Sequence, residues 1–295
     1  MKITEILERR EYSVSFEVFP PKKDGNFDGV VRATEQIAEL KPAYMSVTYG
    51  AGGGTGEYTM RIADQTEKKY GFPVLAHLTC VSSTKESLGE AIAELRRRGI
   101  GNVLALRGDL TPELERTDRS LWAYSHATEL IAELRSADPG LCIGGACYPE
   151  THPESPDQKE DIKHLKEKAD AGCDFFTTQM FFDNSLFYNF MYKIREAGIT
   201  VPVVPGIMPI TNGNQVERAV KLSGSFMPQR FKSLVDAFGS DPEAMTQAGI
   251  AYATDQIIDL FANGIRHVHV YSMNKPAVAA GITGALSSII GKKVK

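Results

Sequence analysis

Two rhythms of apolar residues alternate along the chain. The first is a set of short strand-like runs: SVSFEVF at 13–19, YMSVT at 44–48, VLAHL at 74–78 and NVLALRGD at 102–109. It continues with CIGGACYP at 142–149, FFTTQMFF at 175–182, VPVVPGIMP at 201–209 and HVHVYSMN at 267–274. Behind each run, apolar residues recur at the three-to-four spacing of a helix. Val30, Thr34, Ile37 and Leu40 share one face, as do Leu88, Ile92 and Leu95. The same spacing returns in Leu130, Ile131 and Leu134, in Ile162, Leu165 and Ala169, and in Leu186, Phe190 and Ile194. A helix to about Tyr70 and helical stretches at Gln215–Leu222, Pro242–Ala262 and Ala277–Ile290 complete the series.

Eight strand–helix units predict a parallel sheet with helical crossovers, and eight is the number that closes into a (β/α)8 TIM barrel. Nothing resembling a linker or a repeat divides the chain, so residues 1–295 are expected to form one α/β domain. A doubly wound open sheet is the alternative, weakened by the lack of a dinucleotide fingerprint. The glycine cluster at 50–56 puts five glycines in seven positions. Gly50, Gly52 and Thr55 miss the G-x-G-x-x-G register, and no Gly-Lys-Ser/Thr follows to make a P-loop.

Composition narrows the function classes. With 42% hydrophobic and 24% charged residues the chain is ordinary globular protein. A net charge of −4 argues against nucleic acid or an anionic membrane as partner. The N-terminus lacks the apolar core of a signal peptide, and no run approaches a membrane span. Cys80, Cys142, Cys147 and Cys173 form no C-x-x-C pair and sit near apolar runs, so reduced, buried thiols and a cytoplasmic location are expected.

A barrel places its chemistry where strands end. In 13–19 the alternation puts Val14, Phe16 and Val18 on one face and Ser15, Glu17 and Phe19 on the other. If the apolar trio meets the helices, Glu17 points into the barrel mouth, where a carboxylate is costly unless paired or functional. Thr48, His77, Arg107-Gly108-Asp109, Tyr148, Gln179 and Asn274-Lys275 end other strands. One polar strand end is unremarkable; seven of eight define a rim. Structural readings stand beside these: an ion pair of Glu17 with Arg107, a satisfied core histidine at 77, packing for Phe175, Phe176, Phe181 and Phe182. His267 and His269 share a strand face without a third ligand, and ETHPE at 150–154 is stiffened by flanking prolines. Gly206 either bends the chain or lets a ligand approach its backbone.

At these strand ends the sequence resembles the methylenetetrahydrofolate reductase family, bacterial catalytic-barrel type. SFEVFPPK, SVTYGAGG, AHLTC, LALRGD, YPETHPE, TTQMFFD, PGIMPI and VYSMNK occur in that order over essentially the whole chain. The resemblance implies a barrel that holds FAD, takes hydride from NAD(P)H in a ping-pong cycle and passes it to methylenetetrahydrofolate. It implies Glu17 as general acid, a carboxyl whose pKa a partly dry barrel mouth is expected to raise, and Asp109 as the acidic residue tuning flavin and iminium. FAD contacts fall on Thr48, His77, Arg107, Gly108, Asp109, Ala127, Tyr148, His152, Asp161 and Lys168. Arg107, His152 and Lys168 are the cations for the pyrophosphate. Besides Glu17 and Asp109, the folate contacts are Gln179, Gln215 and Lys275, and no metal is implied. Three positions depart from a relative's pattern: Lys275 replaces an arginine, Ala219 a phenylalanine, and His126 an aromatic residue flanking FAD. Eukaryotic members add a C-terminal regulatory domain, so that layer of control is expected to be absent. The donor, NADH, NADPH or an electron-transfer partner protein, stays open, as does homo-oligomer formation through an outer helix face. Two alternatives remain: a flavin-free lyase or pterin methyltransferase, and a folate-binding subunit reduced through a partner.

Overall fold

The computed structural model describes residues 1–9, 11–21, 26–49, 56–81, 83–109 and 122–293, the side chains at 218, 221 and 222 excepted. The glycine cluster at 50–55 lies outside the described residues. Strand β1 (Ser13–Val18) pairs in parallel with β2 (Met45–Val47), and the pairing continues through β3 (Val74–Thr79) and β4 (Asn102–Leu106). It runs on through β5 (Cys142–Cys147) and β6 (Phe175–Thr178) to β7 (Val203–Val204). On its other side β1 pairs with β9 (His267–Tyr271), which pairs with β8 (Gly206–Ile207).

Only Pro205 separates β7 from β8. The predicted seventh strand is therefore one segment broken by a proline, its first half bonded to β6 and its second to β9. That break closes the ring. Pro205 has no N–H to donate, but its carbonyl accepts from His269 N at 2.9 Å, while Gly206 N turns to Thr178 Oγ1 at 2.8 Å. Counted this way, the nine short strands among the described residues are the eight of a (β/α)8 barrel.

Helices α2 (Phe27–Ala38), α3 (Gly56–Tyr70), α4 (Lys85–Arg98), α5 (Ala127–Ala137), α6 (Gln158–Asp170) and α7 (Asn184–Glu196) follow the first six strands in turn. Between β8 and β9 lie α8 (Asn214–Ser223), α9 (Gln229–Phe238) and α10 (Pro242–Ala262), and α11 (Pro276–Ala285) follows β9. The periodicity found α8 and α10 but not α9. Side chains of Asn26, Thr84, Asp157, Asp183 and Asp241 accept from the first-turn amides of the helices they start, which stops each helix at a defined residue.

The expected facing of β1 holds: Val14, Phe16 and Val18 join the layer between sheet and helices. Phe175, Phe176, Phe181 and Phe182 are buried core residues, Phe181 stacking on Phe187 and Phe182 on Phe231. Cys80, Cys142, Cys147 and Cys173 are buried and unpaired. Gly206 is required by packing, since a Cβ there would lie 2.4 Å from both Thr178 O and Tyr271 Oη.

The N-terminal segment has a role that the sequence reading did not assign. Helix α1 (Ile3–Leu7) inserts Ile3, Ile6 and Leu7 among Tyr44, Leu75, Leu104, Cys142, Phe175 and Val204. Ile3 N donates to Asn102 Oδ1 at 2.8 Å, and Leu7 O meets His267 Nε2 at 3.2 Å. Asn102, Cys142, Phe175 and His267 each begin a strand, so α1 stoppers the N-terminal end of the barrel. The opposite end is left for chemistry.

Candidate active site at the C-terminal mouth

Strand register assembles the centre of the site. Glu17 on β1 sits beside Ser46 of β2 and Tyr271 of β9; its carboxylate faces inward, and the residue is 6% exposed. Ser46 Oγ donates to Glu17 Oε2 at 3.0 Å. His77 Nε2 lies 3.3 Å from the same oxygen, without the angle of a hydrogen bond, and has no other partner. His269 Nε2 is 3.7 Å from Glu17 Oε2 and 3.0 Å from Ser46 Oγ. Below it, Ser15 Oγ lies 2.7 Å from His269 Nδ1 and donates to Val268 O at 3.1 Å. Tyr44 stacks on the His269 ring at 5.5 Å and Tyr271 meets it edge-on at 5.6 Å.

The pKa expected of Glu17 is reversed in this site. Burial raises the carboxyl, but His269, His77 and Ser46 together outweigh it and hold the group below its ordinary 4.5. The sequence shows a carboxyl on an inward face; that two imidazoles and a hydroxyl converge on it depends on four strands meeting. His77 is pushed down to about 4, chiefly by burial and against the pull of Glu17, so it is neutral near pH 7. The carboxylate at that pH therefore rests on Ser46 and His269. The alternative ion pair of Glu17 with Arg107 does not form. Arg107 instead grips Glu154 with two bonds of 2.6 and 2.7 Å.

A strained turn holds Glu17 in register. Met273 and Asn274 have φ of 53° and 54°, a left-handed pair that costs a non-glycine residue roughly 1–2 kcal/mol each. Asn274 Oδ1 accepts from Phe19 N at 2.8 Å while its Nδ2 donates to Phe19 O at 2.9 Å. Ser272 Oγ donates to Glu17 O at 2.6 Å. Sequence reasoning assigned no role to Ser15, Ser46, His269 or Ser272. The usable signal was period-2 facing, which puts Ser15 with Glu17 and His269 with Tyr271.

The remaining expected residues fall in two groups around the same mouth. On the β2–β5 side, Thr48 N donates to Val18 O at 3.0 Å, and Asp109 stands exposed after β4. Gly108 has φ 95°, and a Cβ there would meet Val81 Cγ1 at 2.7 Å, so no other residue fits without strain. Tyr148 and His152 meet edge-on at 4.6 Å; burial pushes the phenol up and the imidazole down. His152 N donates to Asp161 Oδ2 at 2.9 Å, and Lys168 Nζ donates to Ala146 O at 3.0 Å, its pKa lowered by burial. Ala127 opens α5 behind an exposed His126. On the other side, Gln179 N donates to Cys147 O at 2.7 Å, Gln215 lies in the first turn of α8, and Lys275 Nζ donates to Thr211 Oγ1. Ala219 is buried among Phe182, Val216, Phe231 and Met245. Glu150 of the ETHPE segment accepts from Phe226 N at 2.7 Å, and His267 and His269 take serine hydroxyls. Among the described residues no group of His, Cys, Asp and Glu is arranged to hold a metal.

The family model for methylenetetrahydrofolate reductase matches residues 2–287. The chain belongs to the methylenetetrahydrofolate reductase family. It is 31% identical over 274 residues to the 5,10-methylenetetrahydrofolate reductase of Pectobacterium carotovorum, covering 93% of this chain and 90% of that one. The Escherichia coli enzyme of the same name is 30% identical over 277 residues, with 94% and 91% covered. Methylenetetrahydrofolate reductase (NADH) 1 of Arabidopsis thaliana is 31% identical over 305 residues, covering 99% of this chain and 51% of its own length. The chain thus spans about half the length of the plant relatives it matches. A Clostridium thermocellum protein described as binding two copies of 5-methyl-5,6,7,8-tetrahydrofolic acid shares the fold, with a TM-score of 0.66 at 16% identity over 98% and 99% of the two chains. Among the described residues no helix is long and apolar enough to cross a membrane.

Proposed function

We propose that this protein reduces 5,10-methylenetetrahydrofolate to 5-methyltetrahydrofolate, with FAD reduced by NAD(P)H in a ping-pong cycle. The observation that carries the reading is the buried Glu17 carboxylate, tied to two imidazoles and a hydroxyl at the mouth of a barrel of this family. A structural ion pair has no need of two imidazoles and a serine hydroxyl packed against one carboxylate oxygen.

The donor set fits a flavin dinucleotide. Thr48, His77, Arg107, Gly108, Asp109, Ala127, Tyr148, His152, Asp161 and Lys168 would hold it, with Arg107, His152 and Lys168 toward the pyrophosphate. Gly108 leaves room where a side chain would intrude, and His77 Nε2 is a buried donor or acceptor without a hydrogen-bond partner. When bound, the flavin supplies the hydride. Gln179, Gln215 and Lys275 bind the folate, Lys275 offering the point charge of an ammonium where a guanidinium would grip two oxygens. Glu17 protonates the nitrogen that leaves the methylene carbon as the substrate ring opens. Asp109 places negative charge near the resulting cation and favours it.

The test is anaerobic. Purified protein should be yellow, NADH or NADPH should bleach it unaided, and methylenetetrahydrofolate should restore the colour with methyltetrahydrofolate formed. A colourless protein that binds no added FAD would overturn the reading. Bleaching only after an electron-transfer protein is supplied would replace the donor with a partner.

A further inference from the structure

We infer that the N-terminal pole of the barrel carries a second binding site, a cavity that takes a small apolar monocarboxylate. The inference is independent of the proposed reductase function and concerns the ends of the strands away from the mouth.

The cavity has a volume of about 300 Å3, at the lower end of the range for small-molecule sites. It lies beside the α1 stopper, among the chain segments that lead into β1, β2, β3 and β9. Ile6 belongs to the packing inside the barrel, while Val14 and Phe16 face the helices, so the space follows a seam between two parts of the core. Leu40, Phe72 and Ile290 extend the apolar wall. Close-packed interiors seldom leave a void of this size. A short aliphatic chain or one aromatic ring placed there would gain the apolar burial that drives core packing.

Charge selects the head of the ligand. Arg9 and Lys41 line the cavity against Glu11, two cationic side chains to one anionic. Among the described residues neither cation pairs with a carboxylate. Arg9 Nη2 donates to Met1 Sδ at 3.4 Å, a weak acceptor. His267 adds no charge: its Nε2 meets Leu7 O at 3.2 Å and its Nδ1 meets Ser13 Oγ at 2.7 Å. Burial, helped by Arg266, pushes that imidazole down to about 4. A monoanion matches the surplus.

Two local features point the same way. Lys41 turns the chain after α2 with φ 54°. Gly71, Gly99, Gly172, Gly198, Gly224 and Gly264 make the corresponding left-handed turns after α3, α4, α6, α7, α8 and α10. Glycine takes that conformation without strain and lysine does not, so the ammonium is kept at this wall against the backbone's preference. Thr283 of α11 is the second feature. A helical threonine often gives its hydroxyl to the carbonyl four residues back, as Thr34 does to Val30 O at 2.9 Å. Thr283 Oγ1 is shut from solvent and has no hydrogen-bond partner, and its residue stands in the cavity wall. A bound carboxylate would give Lys41 and Arg9 the counter-charge both lack, beside a buried hydroxyl free to donate.

Isoleucine-methyl NMR of the full chain tests the site with hexanoate, octanoate and 3-phenylpropionate as probes. The Ile6 and Ile290 resonances, assigned by their loss in Ile6→Val and Ile290→Val, should shift saturably with at least one acid. Ile210, beyond the C-terminal end of β8, should stay in place. Hexanol, octanol and 3-phenylpropanol, which lack the charge, should bind about tenfold more weakly than the matching acid. Lys41→Gly suits the turn and removes the ammonium, so it should weaken the acid about tenfold and leave the alcohol unchanged. Arg9→Gln should weaken the acid in the same sense. The site is overturned if none of the three acids shifts Ile6 and Ile290 saturably, if acids and alcohols bind alike, or if Lys41→Gly binds the acid at wild-type strength. Shifts confined to Ile210 would put the acids in the mouth and overturn it as well.

Discussion

Glu17 shows how a residue's chemistry depends on its neighbours more than on its type. Glu17→Gln keeps the side chain's shape and removes its proton, so folate reduction should fall by at least 100-fold while NAD(P)H still reduces the flavin. Stopped-flow of the two half-reactions separates these outcomes, and equal loss in both would remove Glu17 from the acid role. On the proposed reading Asp109→Asn deletes a negative charge near the flavin, so the flavin should become easier to reduce and the folate step slower. Redox titration reads the first effect directly. His77 makes a prediction of stability against pH. Its folded pKa of about 4 lies below its ordinary 6.5, so the unfolded chain binds its proton first. Its contribution is fully present above pH 6.5 and is lost as pH falls toward 4, by up to about 3 kcal/mol. Glu17, also depressed, adds to the loss below its ordinary 4.5. Thermal melts should fall steeply over that range, and His77→Asn should flatten the upper part of the slope.

At the scale of elements, two short segments do more than their length suggests. Helix α1 has five residues, yet it fills one end of the barrel with three buried aliphatic side chains. Ile6→Ala should therefore cost about 2–5 kcal/mol in urea unfolding, as for any fully packed position. The broken seventh strand is the second case. Gly206→Ala would drive a methyl against Thr178 O and Tyr271 Oη, one a backbone atom and the other part of the mouth. A loss of at least 1–3 kcal/mol is expected, together with displacement of Tyr271 beside His269. Strand locations were legible because period-2 runs and proline stops are local. The division of VPVVPGIMP between two neighbours was not, because only ring closure requires one strand to pair on both sides of a proline. Helix α9 was missed for a related reason: its burial is set by Phe182 and Tyr252 of distant segments meeting Phe231.

At the scale of the molecule, parallel strands put every strand's C-terminal end at one pole. Glu17 and Asp109 therefore share a mouth although 92 positions separate 17 from 109. The cations of the rim are engaged before any ligand arrives, Arg107 with Glu154 and Lys168 with Ala146 O. On the proposed reading a flavin pyrophosphate would exchange those partners, and a ligand that binds only the folded state stabilises it. FAD at 100 times its dissociation constant should raise the unfolding free energy of apoprotein by about 2.7 kcal/mol. A calorimetric scan with and without FAD checks this, and an unmoved transition would count against a rim built for it.

By itself the sequence determined the alternation of strands and helices, the inward facing of Glu17 and the family. All three follow from spacing along the chain or from ordered motifs. Tertiary structure alone decided the protonation of Glu17, the use of α1 as a stopper, the split seventh strand and the pairing of Arg107 with Glu154. Each depends on which side chains meet across strands far apart in sequence, and Coulomb and desolvation energies act through those distances in space.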